Sequence, residues 1–204
     1  MAARRGYRTT HHVKNEDSMT GHLALWLPIL VSAVIIFVAS SLVHMVLPWH
    51  KYDYVAIPNE AAVADALRPF AIPPGDYMMP RPAKREDLKS PEFAARVRQG
   101  PNLVVTFLPN EPWAMGRNLG LWFVYCLVVS FFAALAVVIA LPAGYEHTTV
   151  FHLAVLSAFL GYTAAIWQMA IWYRRSWATT LRATVDGLIY AILTGATFVW
   201  LWPG

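Results

Sequence analysis

Charged side chains are scarce in this sequence, and their scarcity decides the class of the protein. Only 14% of the 204 residues are Asp, Glu, Lys or Arg, whereas soluble domains carry about 25%. Hydrophobic residues make up 57% of the chain. A composition so poor in charge excludes an ordinary soluble globular domain and indicates an integral membrane protein.

Cysteine is almost absent, because Cys126 is the only one. A single thiol excludes an intrachain disulfide and a cysteine-ligated iron–sulfur or zinc site. The nucleotide-binding loop, the GxSxG nucleophile motif and the HExxH zinc motif are also missing from the sequence. Since no catalytic constellation is recognisable, we predict that the protein is not an enzyme.

Four long apolar runs are present, at 23–47, 119–141, 150–172 and 185–202. Each is close to the length of about 20 apolar residues that crosses a bilayer as a helix. The sequence therefore predicts an all-α membrane protein with four transmembrane helices, the first over 22–48 and the others in a unit over 118–204. The polar, basic tail over 1–21 has no periodicity and is predicted to be disordered.

One long polar stretch, 49–117, separates the first run from the other three and holds most of the charged side chains. We predict an extramembrane insert here. Asn59 and Ser90 are candidate N-caps of two short helices, and NLVVTFL is a candidate strand. The YVAI stretch or another subunit would have to supply the second strand, and this shortage of partners indicates assembly.

The seven histidines invite a metal or haem interpretation, but the predicted topology separates them. His44 and His50 lie at the insert end of helix 1, whereas His152 lies near the opposite face, about 30 Å away. This separation excludes a four-histidine metal site within one chain. Spans two to four offer no histidine at the insert end, which also excludes a bis-histidine haem there. We predict no metal and no bound cofactor. The alternative is one contact to haem or (bacterio)chlorophyll from His44, His50 or His152.

Asp186 stands at the start of the last apolar run, four residues after Arg182. Because residues four apart share a helix face, we predict that these two side chains form an ion pair. A proton-relay carboxylate is the alternative role for Asp186. Arg174, Arg175 and Arg182 together are a candidate site for the phosphate of an anionic phospholipid such as cardiolipin.

Small residues recur at helical spacing in the last two runs. Gly187, Ala191 and Gly195 repeat every four residues in the fourth run, and Ser157 and Gly161 form a notch in the third. Stripes of this kind let transmembrane helices approach closely. We expect helices 3 and 4 to pack against each other, or one stripe to receive a helix of a partner protein.

Several stretches of the chain resemble a group of four-span bacterial inner-membrane proteins with no assigned activity. These are SSLVHMVLPWHKYDY, IPPGDYMMP, SPEF, WYRRSW and DGLIYAILTGATFVWLWPG. The resemblance covers nearly the whole chain after the tail. It implies a bacterial membrane protein, and it carries no functional residue with it.

The sequence as a whole favours a non-catalytic accessory subunit of a larger membrane complex, respiratory or photosynthetic, in the bacterial inner membrane. Its expected partners are other integral membrane subunits and anionic phospholipid, with no nucleic acid and no soluble substrate. Lys and Arg are more numerous on the insert side, which places the insert in the cytoplasm. The alternatives are a haem- or pigment-binding membrane protein and a small transporter. The apolar centres contain no Asp, Glu, Lys or Arg, which disfavours a transporter.

Overall fold

The computed structural model describes residues 25–141 and 146–202, so the prediction for the tail over 1–21 lies outside the described residues. The described chain is mostly helical, as predicted. In chain order its helices are α1 (Trp26–Ser41), α2 (Glu60–Leu67), α3 (Pro91–Gln99), α4 (Met115–Ala140), α5 (His147–Tyr173) and α6 (Trp177–Leu201). Its strands are β1 (Gly75–Met79) and β2 (Leu103–Phe107).

Four of the described helices are long and apolar enough to cross a membrane, namely α1 with its continuation to Val46, α4, α5 and α6. Within the described residues this agrees with the predicted four spans, and it supports a multi-pass membrane protein. Helix α6 begins at Trp177 rather than near Val185, because the polar residues before the apolar run are also helical. The Ser176 hydroxyl caps this end by accepting a hydrogen bond from the Thr179 N–H at 3.5 Å.

The described residues divide into two units. The described residues up to Asp53 and from Ala114 onward form a helical bundle, and Tyr54–Trp113 form a second, smaller unit. We call these the bundle and the small unit. The small unit is shorter than the predicted insert, 49–117, because the residues around His50 belong to the bundle and α4 already begins at Met115.

Each helix of the bundle packs mainly against two others, in the order α1, α4, α5, α6 and back to α1. Contacts between α1 and α4 show that neighbours run in opposite directions. Ser130 Oγ donates to Ser32 Oγ at 3.2 Å, whereas Trp122 Nε1 donates to Ser40 Oγ at 2.7 Å. The later residue of α1 therefore meets the earlier residue of α4, as in an antiparallel pair.

Glycine allows α5 and α6 to approach each other closely. A Cβ atom at Gly187 would overlap Thr163 Cγ2, and a Cβ atom at Gly195 would lie 2.5 Å from Val155 Cγ2. Ala191, between the two glycines, is fully buried. The stripe was expected either to pack against the preceding helix or to receive a partner's helix. In the structure it packs against α5.

The notch predicted on α5 faces a different helix from the one expected. A Cβ atom at Gly161 would lie 3.0 Å from Val129 Cγ1 of α4, and the Gly161 carbonyl accepts a hydrogen bond from the Tyr125 hydroxyl of α4 at 2.6 Å. Ser157 is half-buried. Gly161 therefore serves the α4–α5 contact, because α5 has a neighbour on each side.

Two clusters of buried apolar side chains fill the bundle. One includes Ile36, Cys126 and Tyr190, and the other includes Val137, Val150 and Phe198. The buried serine and threonine hydroxyl groups of the described spans form hydrogen bonds inside the bundle. The Thr194 hydroxyl, for example, donates to the Tyr190 carbonyl at 2.9 Å. Such bonds spare the hydroxyl groups the cost of lying unpaired in an apolar medium.

A two-stranded antiparallel sheet lies in the small unit, with Gly75 opposite Phe107 and Met79 opposite Leu103. The strand predicted at NLVVTFL is present as β2, but neither YVAI nor another subunit is needed to pair with it. Its partner is GDYMM, a segment that lies between prolines. Side chains support this pairing, since the Thr106 hydroxyl donates to Asp76 Oδ1 at 2.6 Å.

Helix α3 begins as predicted: Pro91 follows Ser90, whose hydroxyl accepts a hydrogen bond from the Phe93 N–H at 3.1 Å. Asn59 precedes α2, but its side chain makes no capping hydrogen bond. None of the residues Tyr54–Trp113, a segment described without a gap, is buried. The small unit therefore has no core of its own.

Candidate functional site

The candidate site lies at the end of the bundle where α1 finishes and α6 begins. Helix α1 widens into a π-helical turn over Leu42–Val46 that carries His44. Pro48 cannot donate a backbone hydrogen bond and so ends the helix, and a 3₁₀ turn over Pro48–His50 follows it. π-helical turns occur frequently at functional sites, so this change in α1 makes the end of the helix a candidate site.

Four ionisable side chains form a continuous series at this end of the bundle. Arg182 donates to Asp53 Oδ1 from Nε at 2.9 Å and from Nη2 at 2.5 Å. His50 Nδ1 lies 2.7 Å from Asp53 Oδ2, and His50 Nε2 lies 2.8 Å from Asp186 Oδ2. The series fastens the segment after α1 to the first turns of α6.

Asp53 is held as a carboxylate. Burial acts to raise the pKa of its carboxyl group, but hydrogen bonds from His50 and Arg182, with the charge of Arg182, outweigh burial and lower that pKa below its ordinary value. The Asp53 side chain is only 12% exposed, so this balance operates away from bulk water. The ionised carboxylate therefore fixes the orientation of the His50 ring.

Asp186 is the one Asp, Glu, Lys or Arg that is buried among the described residues, and its side chain is 5% exposed. Asp186 Oδ2 lies 2.8 Å from His50 Nε2, the distance of an ion pair. The other carboxylate oxygen, Oδ1, is buried and has no hydrogen-bond partner among the described atoms. A buried polar group left unsatisfied costs about 1–3 kcal/mol. The contact with His50 therefore leaves one of the two carboxylate oxygens without a partner among the described atoms.

His44 lies beside His50, with the two rings stacked at a centroid distance of 4.2 Å and an interplanar angle of 8°. His44 Nδ1 lies 3.0 Å from the Ser40 carbonyl oxygen. Unlike His50, His44 is exposed, and it lines a cavity of about 390 Å³ together with Met45, Trp122 and other residues of α1 and α4. The cavity gives this histidine an accessible side.

Aromatic and hydroxyl groups continue from Asp186 into the bundle. Tyr190, one turn further along α6, belongs to a cluster of contacting rings with Trp122 and Tyr162. The Tyr162 and Tyr190 hydroxyl groups are buried and lack hydrogen-bond partners among the described atoms. The polar surroundings of Asp186 therefore extend beyond the histidines.

Of the three histidines predicted as cofactor ligands, the structure brings two together. His44 and His50 are in contact. His152 lies on α5 beside Phe151, the residue that faces Gly195 near the end of α6, and so belongs to the other half of the bundle. The stacked rings of His44 and His50 also leave no space for a haem between them.

The predicted ion pair between Arg182 and Asp186 is wrong. Both residues lie on α6 at the expected spacing, but Arg182 turns to Asp53 and Asp186 turns to His50. Asp53 was missed because it is separated from Arg182 by 129 positions, and no local pattern indicates so distant a partner. The nearest signal is the position of Asp53 three residues after His50.

Two of the three arginines predicted to bind a phospholipid head group, Arg174 and Arg175, are exposed. Arg174 ends α5 in a left-handed conformation, with φ at 59°. Arg182 is engaged by Asp53 and its side chain is 24% exposed. Phospholipid binding stays a prediction, and the exposed pair is now its main site.

Comparison of the chain with protein-family models, with curated proteins and with solved structures finds no match. No relative therefore supplies a role for these side chains. The charges, distances and burial at the end of the bundle, and the exposed surface of the small unit, are the physical basis for assigning a function.

Proposed function

We propose that the chain is a non-catalytic integral membrane subunit that stabilises a larger complex of the bacterial inner membrane, of respiratory or photosynthetic type. In this role the small unit lies outside the membrane, on the cytoplasmic side, within the insert predicted over 49–117. The observation that carries the proposal is the absence of any buried residue in Tyr54–Trp113, all of which the structure describes.

The small unit exposes large apolar side chains where a free-standing domain would bury them. Tyr54, Val55, Phe70 and Trp113 are between 72% and 85% exposed. A two-stranded sheet is marginally stable in water unless a third strand or a packed helix supports it. A partner surface that covers these side chains would supply the missing support, as expected of a docking unit in a complex.

The sheet of the small unit also offers backbone groups to a partner. Because β1 and β2 pair only with each other in the described chain, each strand keeps one edge whose N–H and C=O groups are not used in the ladder. Proteins often recognise one another by adding a strand to such an edge. A partner can therefore contact the small unit through backbone hydrogen bonds as well as through an apolar surface.

The bundle provides a fixed point from which the chain enters the small unit. Asp53 is the last bundle residue before Tyr54, and hydrogen bonds from Arg182 and a contact with His50 hold its carboxylate. Fixing this residue lowers the conformational entropy that a docking unit would otherwise lose on binding. The ion series thus supports an anchoring role as well as local stability.

A haem- or pigment-binding protein is the second candidate, and one observation favours it. His44 is exposed and lines the cavity of about 390 Å³ beside Trp122, so it could provide one axial ligand while another subunit provided the rest.

The third class, a small transporter, gains no support from the polar groups inside the spans. The buried hydroxyl groups of Ser130, Thr163 and Thr194 donate to partners within the bundle.

The test is extraction of the full chain from its native host in mild detergent, followed by a native gel, mass spectrometry and an absorption spectrum. We expect co-migration with a large complex and no chromophore that depends on this chain. Phe70→Ser should release the chain from the complex, whereas the matched exposed change Arg98→Gln should not.

Two results would overturn the proposal. Migration as a small free species, unaffected by Phe70→Ser, would show that the small unit does not dock on a partner. A visible chromophore lost on substitution of His44 would favour the cofactor-binding candidate instead.

A further inference from the structure

We propose that His44, His50 and Asp186 bind a divalent first-row transition-metal ion such as Zn²⁺. One potential ligand atom from each residue lies within 4.8 Å of those of the other two. Two imidazole nitrogens and a carboxylate oxygen are a donor set that such ions accept, with coordination positions left for water or another ligand. A metal site of this kind is independent of the subunit role proposed above.

Hydrogen bonds to Nδ1 favour, in both imidazoles, the tautomer in which Nε2 is free to bind a metal. A carbonyl or carboxylate oxygen can only accept a hydrogen bond, so Nδ1 carries the proton in His44, which faces the Ser40 carbonyl, and in His50, which faces Asp53. In each neutral ring Nε2 then keeps its lone pair. In metal-binding histidines, the N–H of the ring nitrogen that does not bind the metal commonly donates a hydrogen bond to a backbone carbonyl or a carboxylate in this manner.

The contact between His50 and Asp186 calls for a cation. With Nδ1 protonated, Nε2 of a neutral His50 ring directs a lone pair toward Asp186 Oδ2, 2.8 Å away. Two acceptors at this distance repel each other, and Asp186 Oδ1 is buried beside them with no hydrogen-bond partner. A metal ion bound to both residues would remove the repulsion and satisfy a carboxylate that is 5% exposed.

Loading of the site requires a small movement of His44. Its ring is nearly parallel to that of His50, with centroids 4.2 Å apart, and one ion cannot lie in the planes of two stacked rings. His44 is the accessible member of the pair and borders the cavity of about 390 Å³. We expect its ring to turn about the side-chain bonds when the ion enters through this cavity.

A proton is the competing cation. A doubly protonated His50 would also compensate Asp186, and the series Arg182, Asp53, His50 and Asp186 would then carry two positive and two negative charges. The two cases differ in one measurable respect. A site that holds only a proton takes up no Co²⁺ at one equivalent, whereas the proposed site binds one metal ion per chain and releases any proton from His50.

The experiment uses the full chain in detergent, without an oligohistidine tag, stripped of metal with EDTA and titrated with Co²⁺. Because the sequence has adjacent histidines at 11 and 12, every protein carries His11→Ala and His12→Ala. We expect one Co²⁺ per chain, a ligand-field absorption band of a low-coordinate site, and displacement of that band by Zn²⁺.

Matched variants identify the ligands. We expect His44→Gln and Asp186→Asn to abolish the band, and His152→Gln, an exposed histidine on α5, to leave it unchanged. Asp53→Asn should weaken Co²⁺ binding by about 10–100-fold, the usual cost of losing a group that orients a ligand. His44 is exposed, so its variant tests the site even if Asp186→Asn fails to fold.

The proposal is overturned if the protein with intact His44, His50 and Asp186 binds no Co²⁺ at one equivalent. Equal binding by that protein and by His44→Gln, with unchanged circular dichroism, would also overturn it. Failure of the subunit proposal would show in the native gel and not in this titration, so the two outcomes can be told apart.

Discussion

The bundle and the small unit use the same residue types in opposite ways. In the bundle, Phe198 and Ile36 are fully buried and Gly187 leaves room for a neighbouring helix. In the small unit, Phe70 and Val55 are among the most exposed large apolar side chains of the described chain. The comparison teaches that the bundle holds its own structure, whereas the small unit has regular secondary structure without a core.

Two Asp–Arg pairs extend the comparison to charge. Asp65 and Arg68 in the small unit are about two-thirds exposed and three residues apart, so water and salt screen them and the pair contributes little. Asp53 and Arg182 in the bundle are mostly buried and join residues 129 positions apart. The same chemical pair is therefore an exposed local contact in the small unit and a buried long-range contact in the bundle.

The largest effect is expected from removing a phenylalanine side chain in each unit. Phe198→Ala should lower the free energy of unfolding by about 3–5 kcal/mol, because it opens a cavity in a packed core. Phe70→Ala, at a side chain that is 72% exposed, should change it by less than about 0.5 kcal/mol. Unfolding of the full chain in mixed detergent, followed by circular dichroism, measures both, and similar losses would remove the contrast between the units.

The two Asp–Arg pairs give the next largest difference. Arg182→Met should destabilise the chain by about 2–3 kcal/mol, somewhat less than loss of one partner of a fully buried pair, because Arg182 is partly exposed. Arg68→Met is the matched control and should cost no more than about 0.5 kcal/mol. Asp53→Asn combined with Arg182→Met should recover part of the loss, and strict additivity would contradict a direct tie between them.

Glycine positions sharpen the comparison within the membrane helices. Gly187→Ala should cost about 1–2 kcal/mol, since its methyl group overlaps Thr163 and α5 must move away. Gly120→Ala on α4 has nothing within 4 Å and should be neutral or stabilising by about 0.5–1 kcal/mol, as alanine favours a helix. The same unfolding experiment decides this prediction. Equal effects would mean that the α5–α6 contact is looser than described.

The sequence was most informative where one local property determines the structure. Span number follows from the length of apolar runs, and the start of α3 follows from Ser90 and Pro91, whose chemistry is sufficient to begin a helix. The close approach of α6 to α5 follows from the glycine stripe. Each of these rests on residues within a few turns of one another.

The features that the sequence did not predict depend on residues distant in the chain, or on tertiary contacts that override local conformational preference. GDYMM begins with a glycine and lies between prolines, which are typical of turns, yet it pairs with β2 as a strand. Helix α6 begins in a polar stretch that a search for apolar runs passes over. At the site, local spacing favoured Asp186 as the partner of Arg182. In the folded chain Arg182 pairs instead with Asp53, which only the tertiary structure brings near.

The smallest effect, and the finest comparison of the two Asp–Arg pairs, is the response to acid in the presence of a chelator. The folded chain lowers the pKa of Asp53, so between its folded pKa and the unfolded value of about 3.9 the unfolded chain binds more protons. The stability that Asp53 contributes is therefore complete above the unfolded pKa and is lost as pH falls through the folded pKa. We expect the difference in melting temperature between the unsubstituted chain and Asp53→Asn to stay constant from about pH 7 to pH 5 and to shrink below about pH 4. Asp65→Asn, in the exposed pair, is the control and should show a much weaker trend. If the difference between the unsubstituted chain and Asp53→Asn stays constant down to the acid limit of folding, Asp53 is not held as a carboxylate by Arg182 and His50.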